Sequence, residues 1–198
     1  IGEEVHGDVN KQGLLEKDAM LATTLVDMYA KCGALVKAQE VFDAIHLQDV
    51  ASWNSLMAGY AQLGQARKLL DLFYKMVSEG IAPDLLSFHV LLIACSHAGV
   101  LDVGLEFFRL IASYDSLEPT LLHYSLLIDL TARTGHLALA LELIETMPYL
   151  PESFLWTSIL TECVLYGDIQ LACDCFDEAF QLDPNDASGY ALILNALT

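Results

Sequence analysis

Basic residues all but vanish from the second part of this 198-residue sequence. Beyond Lys75 only Arg109 and Arg133 remain, against 17 acidic residues, a net of −15. Residues 1–75 hold 7 basic and 10 acidic side chains, a net of −3. A chain graded in this way could bind a polyanion near its N-terminal end and would repel one at long range from its C-terminal end. Cysteine is sparse and unpatterned: five is an odd number, and the spacing is not that of a disulfide framework. Cys95 and Cys163 each lie four residues before a glycine and are expected to be small buried residues, which favours a reducing compartment.

Long apolar runs are missing too. The most apolar stretch, Leu85 to Ala112, is interrupted by His89, His97, Gly99 and Asp102, which suits two helices with buried faces and excludes a membrane span. No secretory signal is visible, and Ile1 begins inside a pattern, so the chain is expected to be a fragment that lacks its targeting segment. The signatures of several chemistries are absent. A zinc deaminase needs H-x-E for one ligand and the general acid, and P-C-x-x-C for two thiolates; neither occurs. Cys173 and Cys175 are two apart on an expected helix, point to different faces and make a poor metal pair. The histidines His6, His46, His89, His97, His123 and His136 are scattered, and there is no glycine-rich phosphate loop or G-x-S-x-G elbow. The expectation is a non-catalytic chain with no cofactor, no metal, no membrane and no small-molecule substrate.

What the sequence does contain is a repeat. Gly33, Gly64, Gly99, Gly135 and Gly167 follow one another at steps of 31, 35, 36 and 32 residues. Fourteen residues before each, a unit begins at Ala19, Val50, Leu85, Leu121 or Ser153. Three residues into four of the units sits an aromatic, Trp53, Phe88, Tyr124 or Trp156, with Ala22 in that place in the first. Five residues after the glycine comes a mostly small residue: Ala38, Leu69, Gly104, Ala140 or Ala172. Eight and nine residues after it come the apolar pairs Val41–Phe42, Leu72–Phe73, Phe107–Phe108, Leu143–Ile144 and Cys175–Phe176.

Apolar spacing of three and four, as in Leu25, Met28, Tyr29, predicts a first helix; the glycine ends it and a second helix carries the paired apolar residues. One such hairpin cannot bury its apolar face alone, so stability must come from stacking on its neighbours. The predicted fold is all-α, a right-handed solenoid of helix–turn–helix repeats in one array. Its parts are the end of a preceding repeat at 1–18, units at 19–49, 50–84, 85–120, 121–152 and 153–186, and the start of a further element at 187–198.

A helical hairpin near 34 residues suits a tetratricopeptide, a pentatricopeptide or a related array. The segments LVDMYAKCGALVKAQEVFDAI, DVASWNSLMAGYAQLGQARKLLDLFYKMVSEGIAPD and LLIACSHAGVLDVGLEFF closely resemble the pentatricopeptide repeats of plant organellar proteins. The unit lengths resemble the subclass that alternates S, P and L repeats: S at 19–49, P at 50–84, L at 85–120 and a last S at 121–152. Residues 153–186 are similar to the E-type extension that follows.

That resemblance implies single-stranded RNA recognition in a mitochondrion or chloroplast, to choose cytidines for C-to-U editing. It implies protein partners as well, an editing cofactor or a deaminase. In such repeats the fifth residue and the last residue together read one base. Carried over, the pairs are Thr23 with Asp49, which favours guanine, and Asn54 with Asp84, which favours uracil. His89 with Thr120 has no assigned base, and Ser125 with Glu152 departs from the usual Asp or Asn. The thirteenth residues Lys31, Gln62 and Arg133 lie, by the same analogy, where phosphates pass. The second residues Ala51, Leu86 and Leu122 could sandwich bases and are expected to be partly packed. The alternative is a protein-interaction scaffold, or a subunit of an organellar ribonucleoprotein complex, with little base reading.

Overall fold

The structure is a computed structural model, and it describes residues 6, 7, 9, 18–114 and 117–196. Of the expected repeat end at 1–18, most lies outside the described residues. Among the described residues eleven helices have defined bounds and no strand occurs. The chain divides into two compact units, one through Ala94 and one from Cys95, with the boundary inside a helix.

The unit through Ala94 contains α1 (Ala19–Lys31), α2 (Leu35–Asp43), α3 (Val50–Gln62), α4 (Ala66–Ser78) and the greater part of α5 (Leu85–Ala98). From Cys95 the chain continues through α6 (Leu101–Ile111), α7 (Leu121–Arg133), α8 (Leu137–Thr146), α9 (Ser153–Tyr166), α10 (Ile169–Leu182) and α11 (Ala187–Ala196). None of these helices is long and apolar enough to cross a membrane.

Every hairpin turn is made the same way. Gly33, Gly64, Gly99, Gly135 and Gly167 all have positive φ, between 64° and 81°, the left-handed conformation that a Cβ penalises. The residue after each glycine donates its N–H to the carbonyl five residues back. Ala34 bonds to Tyr29, Gln65 to Tyr60, Val100 to Cys95, His136 to Thr131 and Asp168 to Cys163, at 2.9–3.1 Å. This is the bond that satisfies an orphan carbonyl at a helix C-terminus, and its fivefold recurrence explains why the glycine column is the clearest mark in the sequence.

The aromatic columns are two sides of one contact. Phe42 of α2 meets Trp53 of α3 edge-on at 4.7 Å, and Phe73 of α4 meets Phe88 of α5 at 6.0 Å. Phe108 of α6 meets Tyr124 of α7 at 4.9 Å. The second helix of each of these repeats therefore presents a phenylalanine to the aromatic that opens the next repeat, a geometry that adds about 0.5–1.5 kcal/mol per pair beyond area burial. Phe42, Trp53, Phe73 and Phe88 are all buried. The small column is buried as well, in Ala38, Leu69, Gly104, Ala140 and Ala172. In the second unit Ile128, Ala140, Ile144, Leu155, Ile159, Cys163, Ala172 and Cys175 share one core. Cys95 and Cys163 are buried, as expected, and Cys32 is exposed.

Burial pushes the Cys95 thiol up to about 11. A thiol-alkylating reagent at pH 8 is therefore expected to modify Cys32 at least roughly tenfold faster than Cys95, because the thiolate is the nucleophile. The gap should close in denaturant; mass spectrometry of the alkylated peptides reads it, and equal native rates would contradict the burial.

Two helical glycines separate close approach from mere smallness. A Cβ on Gly59 of α3 would sit 2.7 Å from the Ala30 Cβ and 3.2 Å from the Ala30 Cα, and neither atom can rotate away. On Gly104 of α6 it would meet the tip of Leu130, which can turn aside. Alanine adds about 1 kcal/mol of helix propensity at either site, and overpacking costs about 1–3 kcal/mol where nothing yields. Gly59→Ala is thus expected to lower the urea midpoint and Gly104→Ala to leave it nearly unchanged.

Candidate nucleic-acid interface

A helix begins with N–H groups that have no partner within the helix, and an Asp or Thr just before it supplies one. The last residue of each repeat stands in that place. Asp18 accepts from the Leu21 N–H at 3.1 Å and Asp49 from the Ser52 N–H at 2.9 Å. Asp84 accepts from the Ser87 N–H at 2.9 Å. The Ser52 and Ser87 hydroxyls in turn accept from the backbone N–H of Asp49 and Asp84, closing a reciprocal box at the start of α3 and α5. Before α7 the pattern changes residues and keeps its form: the Thr120 N–H donates to His123 Nδ1 at 3.1 Å, and the Thr120 hydroxyl lies 2.7 Å from that nitrogen. Glu152, before α9, makes no side-chain cap bond.

The carbonyl and carboxylate groups so placed decide which expected reading pairs meet. Asn54 is 3% exposed, and its Nδ2 donates to Asp84 Oδ1 at 2.9 Å. The Ser87 hydroxyl donates to Asn54 Oδ1 at 2.7 Å. This pair is joined. No hydrogen bond joins Thr23 to Asp49, whose carboxylate serves Ser52. The Ser125 hydroxyl donates to the Leu121 carbonyl of its own helix at 2.7 Å, and Glu152 is exposed. His89 falls in the first compact unit and Thr120 in the second.

The expected phosphate partners are less free than their exposure suggests. Lys31 Nζ lies 2.7 Å from Asp27, and Arg133 Nε lies 2.9 Å from the Asp129 carboxylate, each one helical turn back. Such exposed i,i+4 pairs add little stability, but each sets a negative charge beside the cation and so weakens the positive field that a phosphate would meet. The hydrogen bond and charge of Asp129 push the Arg133 guanidinium above its already high ordinary value, so it stays charged. Among the described residues it is engaged through Nε alone, which leaves both terminal amino groups for a phosphate. Gln62 is exposed.

Two further columns bear on the interface. The second-residue column is exposed instead of packed: Met20 is 77% exposed, Leu86 53% and Leu122 61%, with Ala51 exposed too. Apolar side chains held in solvent at one place in successive repeats are available to a ligand rather than to the core. The third-residue column, Ser52, Ser87 and His123, carries the reciprocal caps; the D-x-x-S spacing at Asp49–Ser52 and Asp84–Ser87 was the available signal. In the second unit Asp129 also accepts from the Ser96 hydroxyl at 2.6 Å and the Ser158 hydroxyl at 3.4 Å, so one carboxylate ties α7 to α5 and α9.

Fold and junctions together define a helical-hairpin repeat protein in which one repeat-end carboxylate, Asp84, meets the polar fifth residue of its own repeat, Asn54. The PPR repeat profile matches residues 22–48 and the PPR repeat family profile matches residues 48–97. The chain belongs to the pentatricopeptide repeat family. It is similar to the pentatricopeptide repeat-containing protein DOT4, chloroplastic, of Arabidopsis thaliana, at 40% identity over 98% of this chain and 22% of the relative. A mitochondrial pentatricopeptide repeat-containing protein of the same plant is 35% identical over 98% of this chain and 22% of its own length. The chain thus spans about a fifth of these relatives, whose names support an organellar location.

Among solved structures it resembles PPR10 in complex with an 18-nt psaJ RNA element, with a TM-score of 0.78, 18% identity, and coverage of 96% of this chain and 29% of that one. It also resembles the PPR domain of Arabidopsis thaliana protein-only RNase P 1 in complex with tRNA, with a TM-score of 0.72, 14% identity, and coverage of 89% of this chain and 97% of that one.

Asp84 has two duties, and its removal tests both. Asp84→Ala is expected to destabilise the chain by about 1–3 kcal/mol, through loss of the cap and of the partner of a buried amide. Asp84→Asn, which can still cap, should cost less. Urea unfolding measures the difference, and an alanine variant as stable as wild type would refute the capping role.

Proposed function

We propose that the chain is a sequence-specific single-stranded RNA-binding array that reads one base per repeat, and that it takes part in choosing sites for organellar C-to-U editing. The observation that carries the reading is the joined pair Asn54–Asp84: a buried amide held by the repeat-end carboxylate at 2.9 Å. An amide in that place offers a base edge a fixed pattern, and one repeat facing one base is a mode of single-strand recognition that helical repeats support. The exposed apolar second residues provide faces on which bases stack. Membership of the family and likeness to a relative crystallised with RNA support the same reading.

On this reading Asn54/Asp84 selects uracil and Thr23/Asp49 guanine, with Ser125/Glu152 and His89/Thr120 as weaker positions. Lys31, Gln62 and Arg133 line the phosphate path. Residues 19–49, 50–84, 85–120 and 121–152 are S, P, L and S repeats, and 153–186 an E-type extension. The acidic C-terminal part recruits a deaminase or an editing cofactor. A second reading, a protein-interaction scaffold, draws on the net of −15 beyond residue 75, which opposes RNA and favours a basic protein.

The test is an Asn54→Ser exchange scored on four single-stranded RNAs that differ at one base. Wild type is expected to prefer uracil by about tenfold and the variant to move toward guanine, in line with the roughly 1–3 kcal/mol carried by a well-made base contact. Affinity should fall as salt rises. Binding that ignores the base in both proteins, or capture of basic proteins without any RNA binding, would decide for the scaffold.

A further inference from the structure

We propose that Ser87 is a specificity-positioning residue: its hydroxyl fixes which way round the Asn54 amide faces, and so which hydrogen-bonding group this repeat offers to a base. The proposal rests on the RNA-reading role given above for Asn54 and Asp84.

An asparagine amide is nearly symmetric in shape and opposite in chemistry at its two ends, so rotation by half a turn exchanges an acceptor for a donor. At Asn54 both ends are held. The Asp84 N–H donates to Ser87 Oγ at 3.2 Å, and the Ser87 hydroxyl donates to Asn54 Oδ1 at 2.7 Å. Asn54 Nδ2 donates to Asp84 Oδ1 at 2.9 Å, and the Ser87 N–H donates to the same oxygen at 2.9 Å. The Ser87 hydroxyl also lies 3.0 Å from Asp84 Oδ1, but its single proton is best used on the shorter bond, where no other donor is present. The four bonds form a closed circuit in which each group is oriented by the next. Ser87 is fully buried, so no water substitutes for its hydroxyl from outside.

Once the circuit closes, one Asn54 N–H and the Asp84 Oδ2 remain without a partner among the described residues. The pair therefore offers one donor beside one acceptor, and no other combination. Without the Ser87 hydroxyl the Asn54 carbonyl would be a buried acceptor with nothing to accept from. The amide would turn or swing to satisfy it, and the remaining donor would lose its fixed place.

The neighbouring junction supplies the contrast. Ser52 makes the same cap with Asp49, yet its hydroxyl donates to the Asp49 backbone carbonyl at 2.8 Å and does not reach Thr23. Capping alone therefore does not require the contact that Ser87 makes. Ser87 adds to a shared cap a bond directed at the reader.

The experiment uses the full chain and single-stranded RNA selected by the wild-type protein from a randomised pool, then varied over four bases at the position that Asn54 governs. Ser87→Ala is expected to keep overall affinity within about threefold while its preference among the four bases collapses by about tenfold. Ser87→Thr, which restores a hydroxyl, should recover the preference. Ser52→Ala, which loses the equivalent cap bonds, should leave preference at this position unchanged. In an Asn54→Ser background the Ser87→Ala change should have no further effect on preference. Should Ser87→Ala not fold, Ser87→Cys keeps the size with a weak donor and is expected to lose most of the preference.

Full preference in a folded Ser87→Ala or Ser87→Cys protein would overturn the role of Ser87 and leave the reading pair standing. A wild-type chain without base preference at any position would overturn the reading pair, and the role of Ser87 with it.

Discussion

The start of a helix is a chemical debt of unpartnered N–H groups, and at the starts of α1, α3 and α5 one carboxylate answers it. Asp18, Asp49 and Asp84 each accept from the third residue of the helix that follows. A stack of short hairpins has many helix starts for its length, so the requirement recurs with the repeat. This constraint places an acidic side chain at the same point of successive repeats before any ligand is considered. The glycine turn at the other end of each first helix answers the complementary requirement of its carbonyls. The proposed function is built on that arrangement. A carboxylate already fixed by the backbone needs only a neighbour long enough to reach it, and Asn54 is that neighbour.

The legible part of the sequence was the part written in local spacing. The glycine register located the turns, and the first helices begin at Ala19, Val50, Leu85, Leu121 and Ser153, the residues at which the register opens each unit. The aromatic columns were visible as columns, but their meaning as partners, Phe42 with Trp53 and Phe73 with Phe88, needed the fold, because the two sides lie more than ten residues apart. The Asp129 centre was hidden for the same reason: Ser96 and Ser158 stand about thirty residues away on either side. Leu86 and Leu122 misled because hydrophobicity reports a preference for burial, and an exposed stripe with its own use defeats that inference. The third-residue caps were in plain spacing and were missed only because serine is unremarkable in a composition.

Electrostatics separate affinity from selectivity on the proposed reading. Lys31 and Arg133, the cations nearest the expected phosphate path, are each shared with a carboxylate one turn away. The whole chain carries −18, so its long-range field opposes a polyanion. Screening confines that opposition to about 10 Å at ordinary salt, so short-range contacts can still be favourable. What remains to favour RNA is short-ranged: the terminal amines of Arg133, the exposed apolar side chains and the amide of Asn54. A surface of this kind gains little from phosphates and much from bases, and it gains only when the bases fit.

The repeats then differ in how much of the fit exists beforehand. Asn54 carries its amide nitrogen one bond further from the backbone than a threonine or serine carries its hydroxyl, and it reaches Asp84 with that extra length. Thr23 does not reach Asp49, and Ser125 turns its hydroxyl back on the Leu121 carbonyl of its own helix. On the proposed reading, the geometry at those two sites has to be made when a base arrives, and ordering a side chain at that moment costs free energy that a preorganised site has already met in folding. A hydroxyl that must first give up a helix carbonyl is further penalised, since the bond lost nearly offsets the bond gained. Discrimination among bases should therefore be concentrated where the circuit is closed before binding. In this chain that place is the junction of α3 and α5, where Asn54, Asp84 and Ser87 already hold one another.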